Sequence, residues 1–188
     1  CLGDEYCRIE RSEEIRHACI NKPVVFSTPN FKFAVEFQDE FTNILPTSPL
    51  KSLYGADIIA CMGANTEYIG HHSYVKQLMQ VHSNRCTCAY VYASSGYGES
   101  TTDGVYGGSA LIYENGELLQ ENERFQMEPQ LIITEIDVEK LRNRKLKNSD
   151  FLRPDFHDLT KHLEDEEINT EHDKERADIP LTRSTCPT

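Results

Sequence analysis

The chain has 188 residues, which is enough for one domain with a sizeable hydrophobic core. It carries 31 acidic against 19 basic residues, a formal net charge of −12, and this balance argues against nucleic acid and anionic lipid as partners. No stretch approaches the roughly 20 apolar residues of a membrane-spanning helix. The first five residues also lack the basic start and apolar middle of a signal peptide. Together these features predict an acidic cytoplasmic protein.

The seven cysteines are spaced irregularly, and an odd count without an export signal favours reduced thiols over a disulfide framework. Cys86 and Cys88 are separated by a single residue, which is too close for a zinc knuckle. They also open an apolar run rich in strand-forming residues. We therefore interpret them as structural thiols that pack as small hydrophobic side chains.

The hydrophobic pattern in the first half of the chain predicts alternating strands and helices. In chain order, the pattern predicts a strand at 31–37, a short helix capped by Ser48 and ending near Gly55, a buried strand at 57–62, a helix at 67–84 and a strand at 85–93. The long helix has one apolar face, formed by Val75, Leu78, Met79 and His82 at positions i, i+3, i+4 and i+7.

The sequence pattern in the second half of the chain predicts a hairpin, a strand and a helix. Asn115-Gly116 lies between two apolar runs, which is the strongest short-range signal for a hairpin with a type I′ turn. Residues 131–136 are typical of a strand, and Asp137 is placed to cap a helix that reaches about Lys147. This order of elements predicts a mixed α/β fold of layered sheets and helices.

A specific motif lies in the loop that follows the strand at 85–93. The run at 88–108 reads CAYVYASSGYGESTTDGVYGG, and its centre is formed by Glu99, Ser100, Thr101, Thr102 and Asp103. A strand, this loop, and a hairpin carrying Glu-Asn-Gly together resemble the glutaminase domain of bacterial glutamine-dependent NAD synthetases, a carbon–nitrogen hydrolase domain of the nitrilase superfamily. The similarity extends over about residues 23–150.

The resemblance implies a layered α-β-β-α sandwich whose N-terminal part is missing from this chain. Residues 23–150 would form the C-terminal half of the glutaminase domain, preceded by a divergent or mobile segment at 1–22. Residues 151–188 are strongly acidic and predict a linker or tail, because so much like charge resists burial.

Family members use this domain to release ammonia from glutamine, and a C-terminal synthetase domain then amidates ATP-activated nicotinate adenine dinucleotide. ATP and Mg would belong to that synthetase domain, so we expect no cofactor in this chain. The resemblance also implies a homo-oligomer formed through the sandwich, and a synthetase domain or subunit as a partner.

The resemblance places the family's nucleophilic cysteine within a Val-Glu-x-Cys-Glu-Asp pattern. The matching stretch here runs from Val35 to Glu40 and includes Glu36 and Asp39, and the nucleophile's position is occupied by Gln38. A carboxamide has no lone pair that attacks at neutral pH, so the resemblance implies a pocket without its nucleophile. We also hypothesise that the Gln38 side chain fills this pocket and mimics a bound glutamine amide.

Two further pocket positions differ from the family. A glutamine-contacting serine is replaced by Asn65, and a glutamine-contacting arginine is replaced by His71. An arginine forks two hydrogen bonds onto a carboxylate, which imidazole does not reproduce. The family's general base and its oxyanion-stabilising lysine would both lie upstream of this chain.

Three interpretations stay open, and with them the question of whether the chain is an enzyme. The first is a partial, inactive glutaminase domain of an NAD-synthetase-like protein. The second is a non-catalytic dimerisation or interaction module derived from the same fold. The third is a carbon–nitrogen hydrolase with altered chemistry that uses Cys61, or an acidic pair among Glu36, Asp39 and Glu40. No metal site is expected, because His71 and His72 are adjacent on a helix and face different directions.

Overall fold

The structure is a computed structural model that describes residues 24–99, 102–153 and the backbone of 164–167. Its strands are β1 (Val24–Ser27), β2 (Lys32–Phe37), β3 (Ile58–Gly63), β4 (Ala89–Ser94), β5 (Ala110–Glu114), β6 (Glu117–Glu121) and β7 (Glu164–Glu167). Its helices are α1 (Gln38–Thr42), α2 (Ser48–Leu53), α3 (His71–Arg85) and α4 (Val138–Lys147), followed by a 3-10 turn at Ser149–Leu152. The strands form one sheet in the order β6-β5-β4-β3-β2-β1-β7.

The centre of the sheet is parallel and its flanks are mixed. Strands β2, β3 and β4 run parallel to one another, while β1, β5 and β6 pair antiparallel with their neighbours in the chain. Parallel neighbours need a crossover, and here α1 with α2, and then α3, supply the two connections. Right-handed crossovers in a constant direction put their helices on the same face of the sheet. The predicted mixed α/β fold is therefore confirmed.

The main core lies between this helical face and the sheet. It contains fully or almost fully buried side chains from β1 to β5 and from α1 and α3, namely Val25, Ala34, Phe41, Ile59, Cys61, Val75, Met79, Tyr90, Tyr92, Leu111 and Tyr113. In α3, Val75, Met79 and His82 are buried and Leu78 packs against the core while partly exposed. The predicted apolar face of this helix is confirmed.

The opposite face of the sheet is also apolar, since side chains alternate along each strand. Strand pairing aligns three rows across it: Phe26, Phe33 and Ile58; Val35, Ala60 and Val91; Phe37, Met62 and Ala93. We call these nine residues the apolar sheet face, and none of them is charged. At its edge, the Phe37 and Met62 side chains remain 61% and 49% exposed.

The hairpin and the last helix form as predicted. Asn115 and Gly116 both have positive φ, 49° and 88°, which is the backbone that a type I′ turn requires. The Asp137 side chain accepts a hydrogen bond from the backbone N–H of Lys140 at 2.9 Å and so caps α4.

Other predictions about single elements were wrong. Ser48 is the first residue of α2 and not its cap, and its buried hydroxyl lies 3.1 Å from Nδ1 of His82 instead. The strand predicted at 85–93 starts late, because Arg85 still belongs to α3 and Thr87, at a φ of 47°, turns the chain before β4.

The strand predicted at 131–136 does not form. Leu131 and Ile133 are 82% and 55% exposed, and the segment pairs with no described strand. The segment does not join the sheet at either edge, where β6 and β7 are the outermost described strands. Apolar character alone does not make a strand without a hydrogen-bonding neighbour.

The acidic stretch departs from the predicted linker at four residues. Glu164–Glu167 pairs parallel with β1 as strand β7. Backbone pairing needs no apolar side chain, and it covers the N–H and C=O groups that β1 would otherwise present at the sheet edge. Residues 1–23, 154–163 and 168–188 lie outside the described residues, so the remaining domain boundaries stay predictions.

Helix α4 is fixed to the sheet by a forked ion pair. Asp57, which is 1% exposed, accepts hydrogen bonds from Nε and Nη2 of Arg142 at 3.2 and 2.6 Å, and one from the backbone N–H of Lys32 at 3.0 Å. Lys145 donates to the carbonyl of Ala56 at 2.5 Å. The helix is therefore tied to the residues that lead directly into β3.

We predict that Arg142→Ala lowers the free energy of unfolding by about 1–2 kcal/mol, because it leaves a buried carboxylate with one partner fewer, while the half-exposed arginine limits the loss. Urea unfolding measures this change. Arg144→Ala, an exposed position on the same helix, is the matched control and should stay within about 0.5 kcal/mol of the wild type. Equal effects of the two variants would contradict this role for the ion pair.

Candidate active site

The candidate site lies where the parallel strands β2, β3 and β4 end. Gln38 directly follows β2 as the first residue of α1, Gly63 ends β3, and Tyr92 lies two residues before the end of β4. His71 opens α3, which follows the loop after β3. Carboxyl ends of parallel strands are the usual place for a ligand crevice in such sheets.

The carboxamide of Gln38 is buried and hydrogen-bonded at both ends. The residue is 3% exposed. Its Oε1 accepts a hydrogen bond from the Tyr92 hydroxyl at 3.0 Å, and its Nε2 lies 3.3 Å from Nε2 of His71. Gly63 makes this approach possible, because a Cβ at that position would lie 2.3 Å from Oε1 of Gln38.

The partners of His71 define its protonation. An amide nitrogen only donates, so Nε2 of His71 accepts and the ring proton lies on Nδ1. Nδ1 faces Oε2 of Glu67 at 3.4 Å, and the other oxygen of Glu67 lies 3.4 Å from Nη1 of Arg124. The Tyr68 ring packs on the imidazole with ring centres 4.7 Å apart. His71 is thus held in one orientation, with Nε2 as the hydrogen-bond acceptor for Gln38.

A second polar cluster lies on the same strand and beside α2. Glu36 is fully buried, and its Oε2 accepts from the Thr47 hydroxyl at 3.4 Å and lies 3.9 Å from Nζ of Lys51. Lys51 is itself 2% exposed and donates to the carbonyl of Val35 and to Oε2 of Glu40, at 2.9 and 3.3 Å. The second oxygen of Glu36 has no hydrogen-bond partner among the described residues.

Burial raises the pKa of Glu36 to about 7, because the loss of water penalises the charged carboxylate more than Lys51 and Thr47 favour it, and Glu40 raises it further. A carboxyl group with this pKa is a candidate for proton transfer at neutral pH. The neighbouring Gln38, however, offers no nucleophile for such a group to activate.

Cys61 lies in the interior of β3 and pairs across the sheet with Glu36. The residue is 1% exposed. Burial, and then the nearby Glu36, raise the pKa of the Cys61 thiol well above its ordinary value. A protonated, buried thiol is a poor nucleophile, so this environment opposes the alternative in which Cys61 replaces the missing cysteine.

The remaining predicted site residues are not gathered at Gln38. Asp39 and Asn65 are exposed, as are the described members of the motif loop, Glu99, Thr102 and Asp103. Ser100 and Thr101 lie outside the described residues.

His72 points away from this site. Its Nε2 lies 2.8 Å from Glu121 and its Nδ1 lies 3.3 Å from the Ser109 hydroxyl. The prediction that His71 and His72 face different directions is confirmed. In the part of the chain that the structure describes, no three His, Cys, Asp or Glu side chains are grouped closely enough to hold a metal ion.

Sequence reasoning missed several residues of the two clusters, among them Glu67, Tyr92, Arg124 and Lys51. Tyr92 could have been identified from the sequence, because it shares one side of a predicted strand with Tyr90 and that strand ends at the motif loop. Glu67 could also have been identified, because it precedes His71 by four residues, the spacing of neighbours on a helix. Arg124 and Lys51 could not, since only the tertiary fold brings them to these carboxylates.

We predict that Glu36 makes stability depend on pH. Its pKa is raised in the folded state from 4.5 to about 7, so its contribution is full below about pH 4.5 and disappears as the pH rises to about 7. The difference in unfolding free energy between wild type and Glu36→Gln should therefore fall by roughly 1–3 kcal/mol over that interval. Urea unfolding at several pH values measures it. Asp39→Asn, an exposed neighbour, should keep the wild-type profile, and a profile unchanged in Glu36→Gln would contradict the assignment.

Comparison with known proteins finds sequences that are similar to the larger part of this chain. The chain is 37% identical over 123 residues to the glutamine-dependent NAD(+) synthetases of Mycobacterium bovis and Mycobacterium tuberculosis, a match that covers 65% of this chain and 18% of those proteins. The Mycobacterium leprae synthetase is 37% identical over 117 residues. The chain thus spans less than a fifth of the length of these relatives. No family model matches it.

Solved structures agree on the fold. A carbon–nitrogen hydrolase from Helicobacter pylori G27 superposes with a TM-score of 0.59 at 16% identity, over 77% of this chain and 54% of that one. The glutamine-dependent NAD(+) synthetase of Acinetobacter baumannii superposes with a TM-score of 0.51 at 19% identity, over 61% and 21%. None of the described helices is long and apolar enough to cross a membrane. The chain is therefore similar in sequence to one segment of these mycobacterial glutamine-dependent NAD(+) synthetases, and it shares its α/β fold with the carbon–nitrogen hydrolase from Helicobacter pylori.

Proposed function

We propose that this chain is the glutaminase-domain portion of an NAD-synthetase-like protein and that it does not hydrolyse glutamine. In the relatives' family role, such a domain supplies ammonia for amidation of nicotinate adenine dinucleotide. The observation that carries the proposal is Gln38, a buried carboxamide where the family's pattern has its nucleophilic cysteine.

Three features support this absence of chemistry. Gln38 has no nucleophilic atom, and both of its polar ends are already hydrogen-bonded. The thiol of Cys61 stays protonated in its buried position. His71 stands where the family has a substrate-binding arginine. Its ring nitrogens face Gln38 and Glu67, and an imidazole does not donate the two parallel hydrogen bonds with which an arginine binds a carboxylate.

The apolar sheet face supports a second candidate function, that of an interaction module. Two sheets pack face to face about 10 Å apart when both faces are apolar, and this face has three uncharged rows across four strands. A second copy of the chain offers a matching surface, because each copy carries the same rows and a twofold axis brings them together. The net charge of −12 opposes association, but none of the nine side chains that define the apolar sheet face is charged.

We predict that the purified chain releases no ammonia from glutamine above the buffer rate, and that Gln38→Ala behaves in the same way. An enzyme-coupled ammonia assay measures both. Cys61→Ser separates the remaining alternative: turnover in the wild type that disappears in this variant would identify Cys61 as a nucleophile. Turnover that disappears only in Gln38→Ala would overturn the proposal of an inactive pocket.

We predict that the chain self-associates through the apolar sheet face. Phe37→Lys and Met62→Lys, which place charge on its exposed edge, should shift sedimentation toward the monomer. Leu146→Lys is a control, since that side chain is 67% exposed on α4 and belongs to no row of the face. A monomeric wild type, or an equal response of all three variants, would contradict this use of the face.

A further inference from the structure

We propose that the pocket around Gln38 is a binding site for primary carboxamides, and that the chain keeps it occupied with its own side chain. This inference rests on the proposed function, because a nucleophile at position 38 would leave no such occupant. The inference goes beyond the proposed function, because it names the chemical group that the pocket recognises and the side chain that occupies the pocket.

The hydrogen-bonding groups of the pocket match an amide and not an acid. A primary amide presents an acceptor oxygen and a donor nitrogen, and the pocket supplies a donor and an acceptor in the corresponding places: the Tyr92 hydroxyl at 3.0 Å and Nε2 of His71 at 3.3 Å. A carboxylate would direct a second oxygen lone pair at the lone pair of His71. The site therefore favours the neutral amide over the matching acid.

Residues behind the imidazole fix its role as an acceptor. Glu67 faces Nδ1 of His71 at 3.4 Å, and the same carboxylate is held from its other side by Arg124 at 3.4 Å. Since Nδ1 carries the proton toward Glu67, Nε2 is left with its lone pair for the amide. Glu67 and Arg124 are positioning residues, because they act on the ring and touch no atom of the carboxamide.

The pocket also encloses the amide group closely and excludes water from it. Gln38, His71 and Tyr92 are 3%, 5% and 2% exposed, so their hydrogen bonds compete little with water. Gly63 forms the wall beside Oε1 of Gln38, and any side chain there would collide with both that oxygen and the Tyr92 hydroxyl, at 2.3 and 2.6 Å.

The occupant is held by the backbone at the start of α1, where the carbonyl of Gln38 accepts a hydrogen bond from the Thr42 hydroxyl at 2.9 Å. A tethered group has a high effective concentration at its site, so free amides do not displace it. Truncation at Cβ would remove the CH₂–CO–NH₂ group and leave a space of the size of acetamide.

The test compares wild type and Gln38→Ala in thermal unfolding with increasing acetamide, acetate or acetone. We expect acetamide to raise the unfolding midpoint of Gln38→Ala in a saturable manner, with an apparent affinity at least about tenfold above that for acetate, because the acid leaves His71 unpaired. The wild type should show no saturable response. Tyr92→Phe added to Gln38→Ala should abolish the effect of acetamide. A Gln38→Ala protein that responds to all three solutes as the wild type does would overturn the inference.

Should Gln38→Ala not fold, Gln38→Glu tests the same recognition at constant shape. Its unfolding midpoint, compared with that of the wild type, should be lower at pH 8 and approach it at pH 5, where the introduced acid takes up a proton. Midpoints that match the wild type at both pH values would overturn the inference. The proposed function is tested separately: ammonia released from glutamine by the wild type would refute it, whatever Gln38→Ala binds.

Discussion

A buried carboxamide requires a partner at each end, and much of the architecture at this end of the sheet meets that requirement for Gln38. The donor, Tyr92, is contributed by the strand two positions across, and the acceptor, His71, by the first turn of the helix that connects β3 with β4. Gly63 leaves room between them. The site thus depends on the parallel order of three strands, which brings their carboxyl ends together.

The same parallel order places two chemically opposite clusters side by side. At Gln38 both ends of the carboxamide have a hydrogen-bond partner. At Glu36, two positions earlier on the same strand, a buried acid has one unpartnered oxygen and Lys51 at 3.9 Å, so its charge is poorly supported. The group that can transfer a proton at neutral pH therefore has a carboxamide and no nucleophile as its neighbour at Gln38.

Sequence patterns predicted those elements that local chemistry determines. The face of α3 follows from helical spacing, the hairpin from Asn115-Gly116, and the start of α4 from the capping side chain of Asp137. The strand at 131–136 was predicted wrongly because a strand forms only where its backbone pairs with another strand, and no local pattern encodes that pairing. Strand β7 was missed for the converse reason: a backbone edge accepted a segment whose side chains argued against burial.

The candidate site, too, could be predicted from the sequence only in part. Gln38 and His71 were singled out from the sequence, because the resemblance places both at pocket positions. The contacts that give these residues a specific environment were not predicted, since Glu67 and Arg124 are 57 residues apart and meet only in the fold. Arg124 holds the Glu67 carboxylate, which in turn orients the His71 imidazole, and this arrangement gives position 38 its hydrogen-bond acceptor. The surroundings of Gln38 are thus complementary to an amide group at both of its ends.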